Sequence, residues 1–400
     1  MHDFHFMRHT LASVAAMTLL AACPTDDGEG PDDAQDASTS EPATDSAEST
    51  GGEQPGTTGG EATDDATDGE TADSSEGGDT TGAFGDYEPN CEGTFEVTAP
   101  DPNYPWTPLS ITLASQELSP GVFVVYDERA LELSPEQAPL ATSAGFVIGE
   151  DGVLLVESMI NQQLACQLYD LVREQTELPI QYIVNTSHHG DHSYGNHFFG
   201  PDTQIVQHEE TADFISEHFE ADRAWMIQNF GANQGMEEVE PREADIRVGE
   251  EGWSVDLGGV TVEARYFGFA QTHGDLWIWL PEQHVLWAGN AQVSGNPGLP
   301  WLLDGNGQAS MDTSQAVADF LPPDAIVIPG HDAPQTPDVF DFTIDYLQTL
   351  LFEVGEAVDA GLSLEETIAT VTMDDFRGYV LFDWVHPVIN VTNTYGDLSE

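Results

Sequence analysis

The sequence predicts a mixed α/β domain that extends from about residue 90 to residue 400. Two observations favour this class. Strand-like and helix-like segments alternate along this part of the chain without an obvious break. Several strand-like runs are also apolar at nearly every position, which is typical of strands buried on both faces. The expected result is one α/β domain, with polar loops at the ends of buried strands.

The first predicted elements are three strands, a helix and a fourth strand. In chain order their sequences are GVFVVY (121–126), AGFVIG (144–149), VLLVE (153–157), the helical stretch QLACQLYDLVREQ, and QYIVNT (181–186). Asp151 and Gly152 separate the second and third strands, and this dipeptide is a strong signal for a hairpin turn. The fourth strand leads directly into a loop rich in histidine.

The second half of the domain repeats this alternation and ends in helices. A helical stretch, TADFISEHF, precedes four strand-like runs: GVTVEARYF, DLWIWL, HVLWAG and DAIVIPG (324–330). Thr336 and Pro337 then offer an N-cap and a first-turn proline. One apolar stripe at helical spacing follows, formed by Phe340, Ile344, Leu347, Leu351, Val354 and Val358. The capping-box pattern SLEE (363–366) predicts the start of a second helix.

The N-terminal residues predict an exported protein. Arg8 precedes a short apolar run that ends in LAAC, Leu20 to Cys23. This pattern resembles a bacterial lipoprotein signal, which would make residues 1–22 a signal peptide and Cys23 the lipidated residue. An ordinary secretory signal is the alternative. The lipoprotein interpretation places the protein at the cell envelope, on the periplasmic or outer-surface side.

Residues 23–86 predict a tether and leave residues 87–400 as the folded domain. The tether is rich in Asp, Glu, Gly, Ser and Thr, and residues 24–86 contain no Lys or Arg. Such a composition cannot bury enough apolar surface to offset the entropy of the chain. We therefore expect a disordered, self-repelling acidic spacer.

The charge of the chain restricts its partners. The sequence has 72 Asp and Glu residues against 8 Lys and Arg, a formal net charge of −64. So acidic a surface repels phosphate backbones and anionic lipids, which argues against a nucleic-acid partner. Contact with a membrane is expected only through a lipid on Cys23. The expected partner is a small-molecule substrate, which the charge does not identify.

Two cysteines besides Cys23 leave one question open. Cys91 and Cys166 can form a disulfide in an oxidising compartment, or they can remain two separate thiols. Sequence separation alone does not determine whether their geometry permits a bond.

The loop NTSHHGDHSYGN (185–196) is the first candidate for a metal site. It places His189, Asp191 and His192 within four residues, immediately after a buried strand. Imidazole nitrogen and carboxylate oxygen are ligands that zinc prefers. The alternative is a polar turn that caps the following helix.

A distant histidine completes the candidate site. His331 follows the predicted strand IVIPG, which delivers it to the edge of a sheet. Together with Asp191 and His192 it would form a set of two histidines and one carboxylate. Three protein ligands leave coordination positions open for water or substrate, as a catalytic metal site requires.

These motifs, in this order, resemble those of the metallo-β-lactamase superfamily over roughly residues 110–400. The family pattern H-x-H-x-D-H corresponds to SHHGDH (187–192), and its later motifs correspond to AQTHGD (270–275), LWAGN (286–290) and PGHD (329–332). The resemblance implies a four-layer αββα sandwich with metal loops along one edge of two facing sheets.

Departures from the family pattern fall on one half of the usual two-metal site. Where the family has three histidines, this chain has Ser187, His189 and Gln271, and Asn290 stands where the family has a bridging aspartate. The ligands of the other half are retained as Asp191, His192 and His331. The expectation is one zinc ion at the retained half, with His189 the one ligand left in the altered half. Asn290 is a weak fourth ligand, and Fe(II) is the alternative metal.

Two neighbouring histidines keep a second metal site open as an alternative. His188 and His273 each lie one or two positions from a lost ligand, so either could rebuild a dinuclear site. In a loop at the end of a strand, however, neighbouring side chains diverge. A shift of one residue therefore usually points a side chain away from the site.

The resemblance implies metal-assisted hydrolysis of an ester, thioester, lactone or lactam bond. His189 would serve as a base or as a donor to the developing oxyanion, while Gln271 and Asn290 would orient water. The candidate catalytic residues are therefore His189, Asp191, Gln271 and Asn290. Two alternatives stay open: a metal-free, catalytically silent binding domain and a mononuclear iron oxygenase.

Overall fold

The computed structural model describes residues 89–91, 95–134 and 140–399. The signal peptide, the lipidation site and the acidic tether predicted for residues 1–86 lie outside the described residues. The strands are β1 Leu113–Ser119, β2 Val122–Asp127, β3 Ala144–Ile148, β4 Val153–Val156, β5 Ile180–Val184, β6 Gln204–His208, β7 Ile246–Val248, β8 Trp253–Asp256, β9 Thr261–Arg265, β10 Trp277–Leu280, β11 Val285–Gly289 and β12 Ile326–Pro329.

The α-helices range from one turn to six turns in length. They are α1 Ala130–Leu133, α2 Gln162–Arg173, α3 Gly190–Ser193, α4 Glu209–Phe230, α5 Gly307–Phe320, α6 Val339–Asp359, α7 Leu364–Thr370, α8 Phe382–Trp384 and α9 Thr392–Ser399. A π-helical segment, Val385–Val391, joins α8 to α9. No helix in the described part of the chain is long and apolar enough to cross a membrane.

The strands form two sheets. The first sheet has seven strands in chain order, β1 to β7; its first four strands are antiparallel, and β4 to β7 run parallel. The second sheet has five strands in the order β12-β11-β10-β9-β8, in which only the β11–β12 pair is parallel. Parallel strands place their carboxyl ends at one edge, where loops can converge.

Both sheets are buried on both faces, which gives four layers. In β2, Val122 and Val124 face the second sheet, while Phe123 and Val125 pack among residues of α2 and α4. In β11, Trp287 faces the first sheet, and its neighbour Leu286 packs with side chains of α5 and α6. Because successive side chains point to opposite faces of a sheet, each sheet contributes to two hydrophobic cores, one on each face. The αββα sandwich implied by the sequence resemblance is confirmed.

Local turn and cap signals agree with the structure at two places. Asp151 and Gly152 connect β3 to β4, and the Gly149 amide donates to the Gly152 carbonyl at 2.9 Å. At the start of α7, Ser363 and Glu366 form a reciprocal capping box. These elements are encoded by residues that are close in the chain.

The predicted start of the long C-terminal helix is wrong by about two residues. Helix α6 begins at Val339 with Asp338 as its N-cap residue, rather than with Thr336 as cap and Pro337 in the first turn. The cause is a tertiary contact: Gln335 pairs with Val327 of β12, which keeps the chain extended up to Thr336. The helix can begin only after a turn beyond that bridge.

Cys91 and Cys166 form a disulfide, which settles the question left open by the sequence. Their Cα atoms lie 5.7 Å apart, and the bond closes a loop across 75 positions of sequence. Cys166 lies within α2 and is buried. The bond therefore ties the chain before β1 to the helix layer of the first sheet.

Loss of this disulfide is expected to lower the free energy of unfolding by about 2–4 kcal/mol, because the open chain regains loop entropy in the unfolded state. Urea denaturation of the oxidised protein, of the reduced protein and of a Cys91→Ser/Cys166→Ser variant measures the difference. The variant should be indifferent to reductant. Equal urea midpoints for oxidised and reduced protein would contradict this expectation.

The C-terminal helices hold the loop that follows β11. Asn390, in the π-helical segment, accepts from the Leu302 amide at 3.0 Å and donates to the Pro300 carbonyl at 2.8 Å. The side chain of Asn390 is fully buried in this contact. The loop around residues 299–305 is thus fixed by hydrogen bonds to a distant helix.

Candidate metal centre

The candidate site lies where the carboxyl ends of strands from both sheets meet. The loop after β5 carries Asp191 and His192 in α3, and His331 follows the end of β12. Gly289, the last residue of β11, packs against Thr186 after β5. A Cβ on Gly289, which has φ +53°, would meet Thr186 Oγ1 at 2.1 Å. Glycine at position 289 has no side chain, so the ends of the two sheets can approach each other closely here.

Three side chains converge at this edge, and we refer to Asp191, His192 and His331 as the metal cluster. Asp191 Oδ2 lies 3.3 Å from His331 Nε2 and 3.5 Å from His192 Nε2. One ligand atom from each of the three residues lies within 4.8 Å of the other two. In the described part of the chain, no other group of three His, Cys, Asp or Glu residues meets this condition.

The protein fixes which histidine nitrogens face the cluster. His331 Nδ1 lies 3.0 Å from the Leu140 carbonyl and donates to it, so Nε2 keeps its lone pair towards Asp191. His192 Nδ1 lies 3.0 Å from Glu157 Oε1. Thr142 Oγ1 donates to Asp191 Oδ2 at 2.7 Å. Such outer contacts set the tautomer and orientation of metal-binding side chains.

Glu157 is a site residue that the sequence analysis missed. It follows β4, is 1% exposed, and accepts from the Thr186 hydroxyl at 2.5 Å and the Thr186 amide at 3.2 Å. Its backbone φ is +66°, which is unusual for a residue with a side chain and directs the carboxylate towards His192. An acidic residue directly after the apolar run VLLV was the only sequence signal.

Burial and mutual charge shift the pKa values of the cluster. Burial disfavours the charged form of His192, but Asp191 and Glu157 outweigh this effect and raise its pKa to about 9. Burial lowers the pKa of His331 to about 4. In the metal-free cluster the neighbouring acidic groups therefore favour the protonated form of His192. A cation that binds the three ligand atoms replaces this proton, so binding releases it.

The altered half of the site is buried and polar. Its residues are Ser187, His189, Gln271 and Asn290, each no more than 8% exposed. One polar atom of each has no hydrogen-bond partner, and the same is true of His192 Nε2. Leaving several buried polar atoms unpaired is costly unless water or an ion satisfies them. The donor set therefore fits a bound cation with ordered water beside it.

His189 lies between the metal cluster and the altered half. It precedes α3 directly, and Nε2 is its buried, unpartnered ring atom. Burial lowers the pKa of His189 to about 4. The imidazole is therefore neutral at pH 7 and can accept a proton at Nε2. His189 is not one of the three residues whose ligand atoms converge, which are Asp191, His192 and His331.

The structure does not assemble a second group of three metal donors around His188 or His273. The His188 ring stacks on Phe214 with ring centroids 3.6 Å apart, and His273 is exposed. Both residues line a separate cavity beside α4. Neither side chain therefore joins the converging ligand atoms, although the His188 ring remains in edge contact with His189 at 4.5 Å between ring centroids.

If the cluster binds a metal ion such as zinc, replacing Glu157 by Gln is expected to weaken that binding by roughly 10–100-fold, the usual effect of losing an outer partner of a metal ligand. All three ligands stay in place, but His192 Nδ1 loses the carboxylate that holds it. Competition with a chromophoric chelator measures the affinity. Glu150→Gln, an exposed hairpin position, is the matched control. Equal zinc affinity in both variants would contradict a role for Glu157.

Comparison with known proteins gives one family match and several structural neighbours. The family model described as metallo-beta-lactamase superfamily matches residues 138–331. A metallo-beta-lactamase from Pontibacter korlensis is 17% identical, with a TM-score of 0.44 over 59% of this chain and 99% of that one. A crystal structure of VMB-1 is 20% identical, with a TM-score of 0.45 over 59% and 97% of the two chains. No curated protein matches the sequence.

The matched region begins before β3 and ends at His331. It contains Thr142, Glu157 and all three residues of the metal cluster. The four-layer sandwich and the order of the motifs are also those of the family. Residues 138–331 thus match the metallo-beta-lactamase superfamily, the family that the sequence motifs resemble.

Proposed function

We propose that this protein is a metal-dependent hydrolase that binds one zinc ion through Asp191, His192 and His331. One observation carries the proposal: the ligand atoms of these residues converge within 4.8 Å at the shared edge of the two sheets. The contacts from Leu140, Glu157 and Thr142 support it, because they orient the ligands before any metal binds.

The donor set suits a catalytic zinc site. Two imidazoles and one carboxylate leave a fourth position open to water or substrate. When bound there, zinc lowers the pKa of a water molecule and polarises a substrate carbonyl. The residues of the altered half then contribute through hydrogen bonding and proton transfer rather than through ligation.

His189 is the residue placed to accept a proton during hydrolysis. Its Nε2 atom is buried and makes no hydrogen bond of good geometry, although the Gln271 side chain lies beside it, so it is available to a water molecule or substrate. Gln271 Oε1 and Asn290 Oδ1 are likewise unpartnered acceptors. A water molecule that donates one hydrogen to either oxygen and the other to His189 Nε2 would keep a lone pair free to attack a carbonyl while His189 accepts its proton.

A single metal ion follows from the chemistry of the altered half. Ser187, Gln271 and Asn290 offer neutral oxygen or amide groups where a second zinc ion needs imidazole or carboxylate. The proposed substrate carries an ester, thioester, lactone or lactam bond. The net charge of −64 disfavours strongly anionic substrates.

Elemental analysis combined with a substrate panel tests the proposal. We expect about one zinc per chain after zinc reconstitution and dialysis. Hydrolysis of at least one chromogenic lactam, lactone or thioester should be lost on chelation and restored by zinc. Two zinc ions per chain would overturn the single site. No bound metal would favour the silent binding domain, and iron with oxygen uptake would favour the oxygenase.

His189→Ala is expected to keep the zinc ion and lose about 10²–10⁴-fold in kcat, the range typical of removing a general base or acid. The three ligands of the cluster are unchanged, so metal content separates this role from ligation. Elemental analysis and steady-state kinetics are measured on the same preparation. Loss of the zinc ion in this variant would instead identify His189 as a ligand.

A further inference from the structure

A cavity of about 180 Å³ lies beside the metal cluster, and none of the three cluster residues lines it. It is bounded by the loop after β5, the first turns of α4, the segment before β10 and the loop after β11. Its lining residues are His188, Glu210, Thr211, Asp213, Phe214, Glu217, His218, Thr272, His273, Gly274 and Asp304. We call this space the α4 cavity.

The walls of the α4 cavity carry four carboxylates and neither Lys nor Arg. Arg247, outside the cavity, pairs with Asp213 at 2.6 Å, and His218 Nε2 lies 3.9 Å from Glu217 Oε2. Among the described residues, no ion pair involves Glu210 or Asp304. The cavity therefore has an excess of negative charge that its own walls do not neutralise.

Asp304 contributes a carboxylate from a fixed loop. It is half-buried, and burial raises its pKa to about 6, since no cation offsets the cost of the charge. The loop that carries it is held by Asn390 at Leu302 and by Asn393, whose amide donates to the Leu303 carbonyl at 3.3 Å. A carboxylate held in place in this way is prepared for a positively charged ligand.

His188 provides an independent observation that points to a ligand. It is 4% exposed and lines the cavity, yet its ring nitrogens have no hydrogen-bond partner among the described residues. Its ring face is covered by Phe214 at 3.6 Å, so only the ring edge can reach a ligand. The acceptor nitrogen of a neutral imidazole in this position can be satisfied by a ligand that donates a hydrogen bond to it.

We propose that the α4 cavity binds the primary ammonium group of a small organic molecule. An ammonium group donates hydrogen bonds to carboxylate oxygen and to imidazole nitrogen, the acceptors that Asp304 and His188 offer, and its remaining N–H can bind water. A metal ion fits this space less well, because no three donor atoms of these residues lie within 4.8 Å of one another. The volume is also that of a small organic group rather than a single ion.

The α4 cavity adjoins the proposed catalytic site. The ring centroids of His188 and His189 lie 4.5 Å apart, so one imidazole separates the cavity from the metal cluster. A molecule whose amine occupies the cavity can present a carbonyl to the cluster. This assignment as a substrate subsite rests on the proposed hydrolase function, whereas ammonium binding itself does not.

Calorimetric titration with benzylamine, at neutral pH and low salt, tests the ammonium site. We expect saturable binding of benzylamine and none of benzyl alcohol, which has a similar shape without the charge. Asp304→Asn should weaken the binding by roughly tenfold or more, since it removes a charged acceptor. Asp312→Asn, an exposed acid on α5 outside the cavity, is the matched control and should bind as the parent does.

Three further measurements distinguish binding in the α4 cavity from binding at the metal cluster, from general electrostatic attraction and from metal binding. Binding should be the same before and after removal of zinc with EDTA, and its loss would show that the amine binds at the cluster instead. Equal weakening by both Asp variants would reduce the effect to general electrostatic attraction. A second zinc equivalent that disappears in Asp304→Asn would make the cavity a metal site. Each of these results overturns the proposal.

The substrate role is tested with matched amine-bearing and N-acetylated thioesters. In the parent protein, a lower KM for the amine-bearing thioester than for the N-acetylated one supports the subsite, provided that Asp304→Asn removes the difference. Equal KM values for the two thioesters in the parent overturn the subsite. Benzylamine binding without any hydrolysis would leave the ammonium site standing and contradict the hydrolase.

Discussion

His331→Ala is expected to reduce zinc from about one ion per chain to none and to abolish hydrolysis. His331 is one of only three side chains that converge at the site, and it comes from a different sheet than Asp191 and His192. Removing it leaves two neighbouring ligands, which cannot surround a cation. The loss of affinity should exceed the roughly 10–100-fold caused by losing an outer contact.

The same substitution should leave the fold intact, which makes the result interpretable. His331 makes one side-chain hydrogen bond, to the Leu140 carbonyl, and its side chain is 16% exposed. Circular dichroism and a urea midpoint close to the parent's would verify folding. His284→Ala, in the exposed turn between β10 and β11, is the matched control. A variant that keeps one zinc per chain without His331 would refute the proposed cluster.

Trp287→Ala is expected to lower the free energy of unfolding by about 3–5 kcal/mol, the usual range for truncating a buried aromatic residue to alanine. Trp287 is 1% exposed and lies between the two sheets. Its ring covers Gly145 of β3, where an added Cβ would meet Trp287 Cζ2 at 2.4 Å. Its indole Nε1 also donates to the Ala144 carbonyl at 3.2 Å.

Urea denaturation measures this effect through the transition midpoint, with the slope checked for constancy. Trp287→Phe should cost less, because it keeps an aromatic ring between the sheets and loses the indole donor and the outer part of the ring. Trp253→Ala, on the less buried strand β8, provides a comparison outside the centre of the sandwich. A loss below about 1 kcal/mol for Trp287→Ala would contradict the central position assigned to this side chain.

The ligand residues could be predicted because their positions are local to strand ends. Asp191 and His192 lie a few residues after β5, and His331 lies just after β12. The sequence therefore already shows that all three residues follow the carboxyl end of a strand. These predictions need only the chain direction and the spacing of residues.

The remaining parts of the site depend on contacts that no short stretch encodes. Glu157 reaches His192 because its backbone adopts a positive φ, and Thr142 reaches Asp191 from 49 positions earlier in the chain. The α4 cavity joins four separate segments. Likewise, the bridge between Gln335 and Val327 moved the start of α6, and only the folded geometry decided that Cys91 and Cys166 pair.

The disulfide between Cys91 and Cys166 has a mechanical consequence. A pulling force applied to the chain before Cys91 enters the domain through a covalent bond at the middle of α2. Strand β1, at the edge of the first sheet, lies beyond that bond along the chain and would otherwise be the first to peel away under load. The load is instead carried by a helix with a buried face.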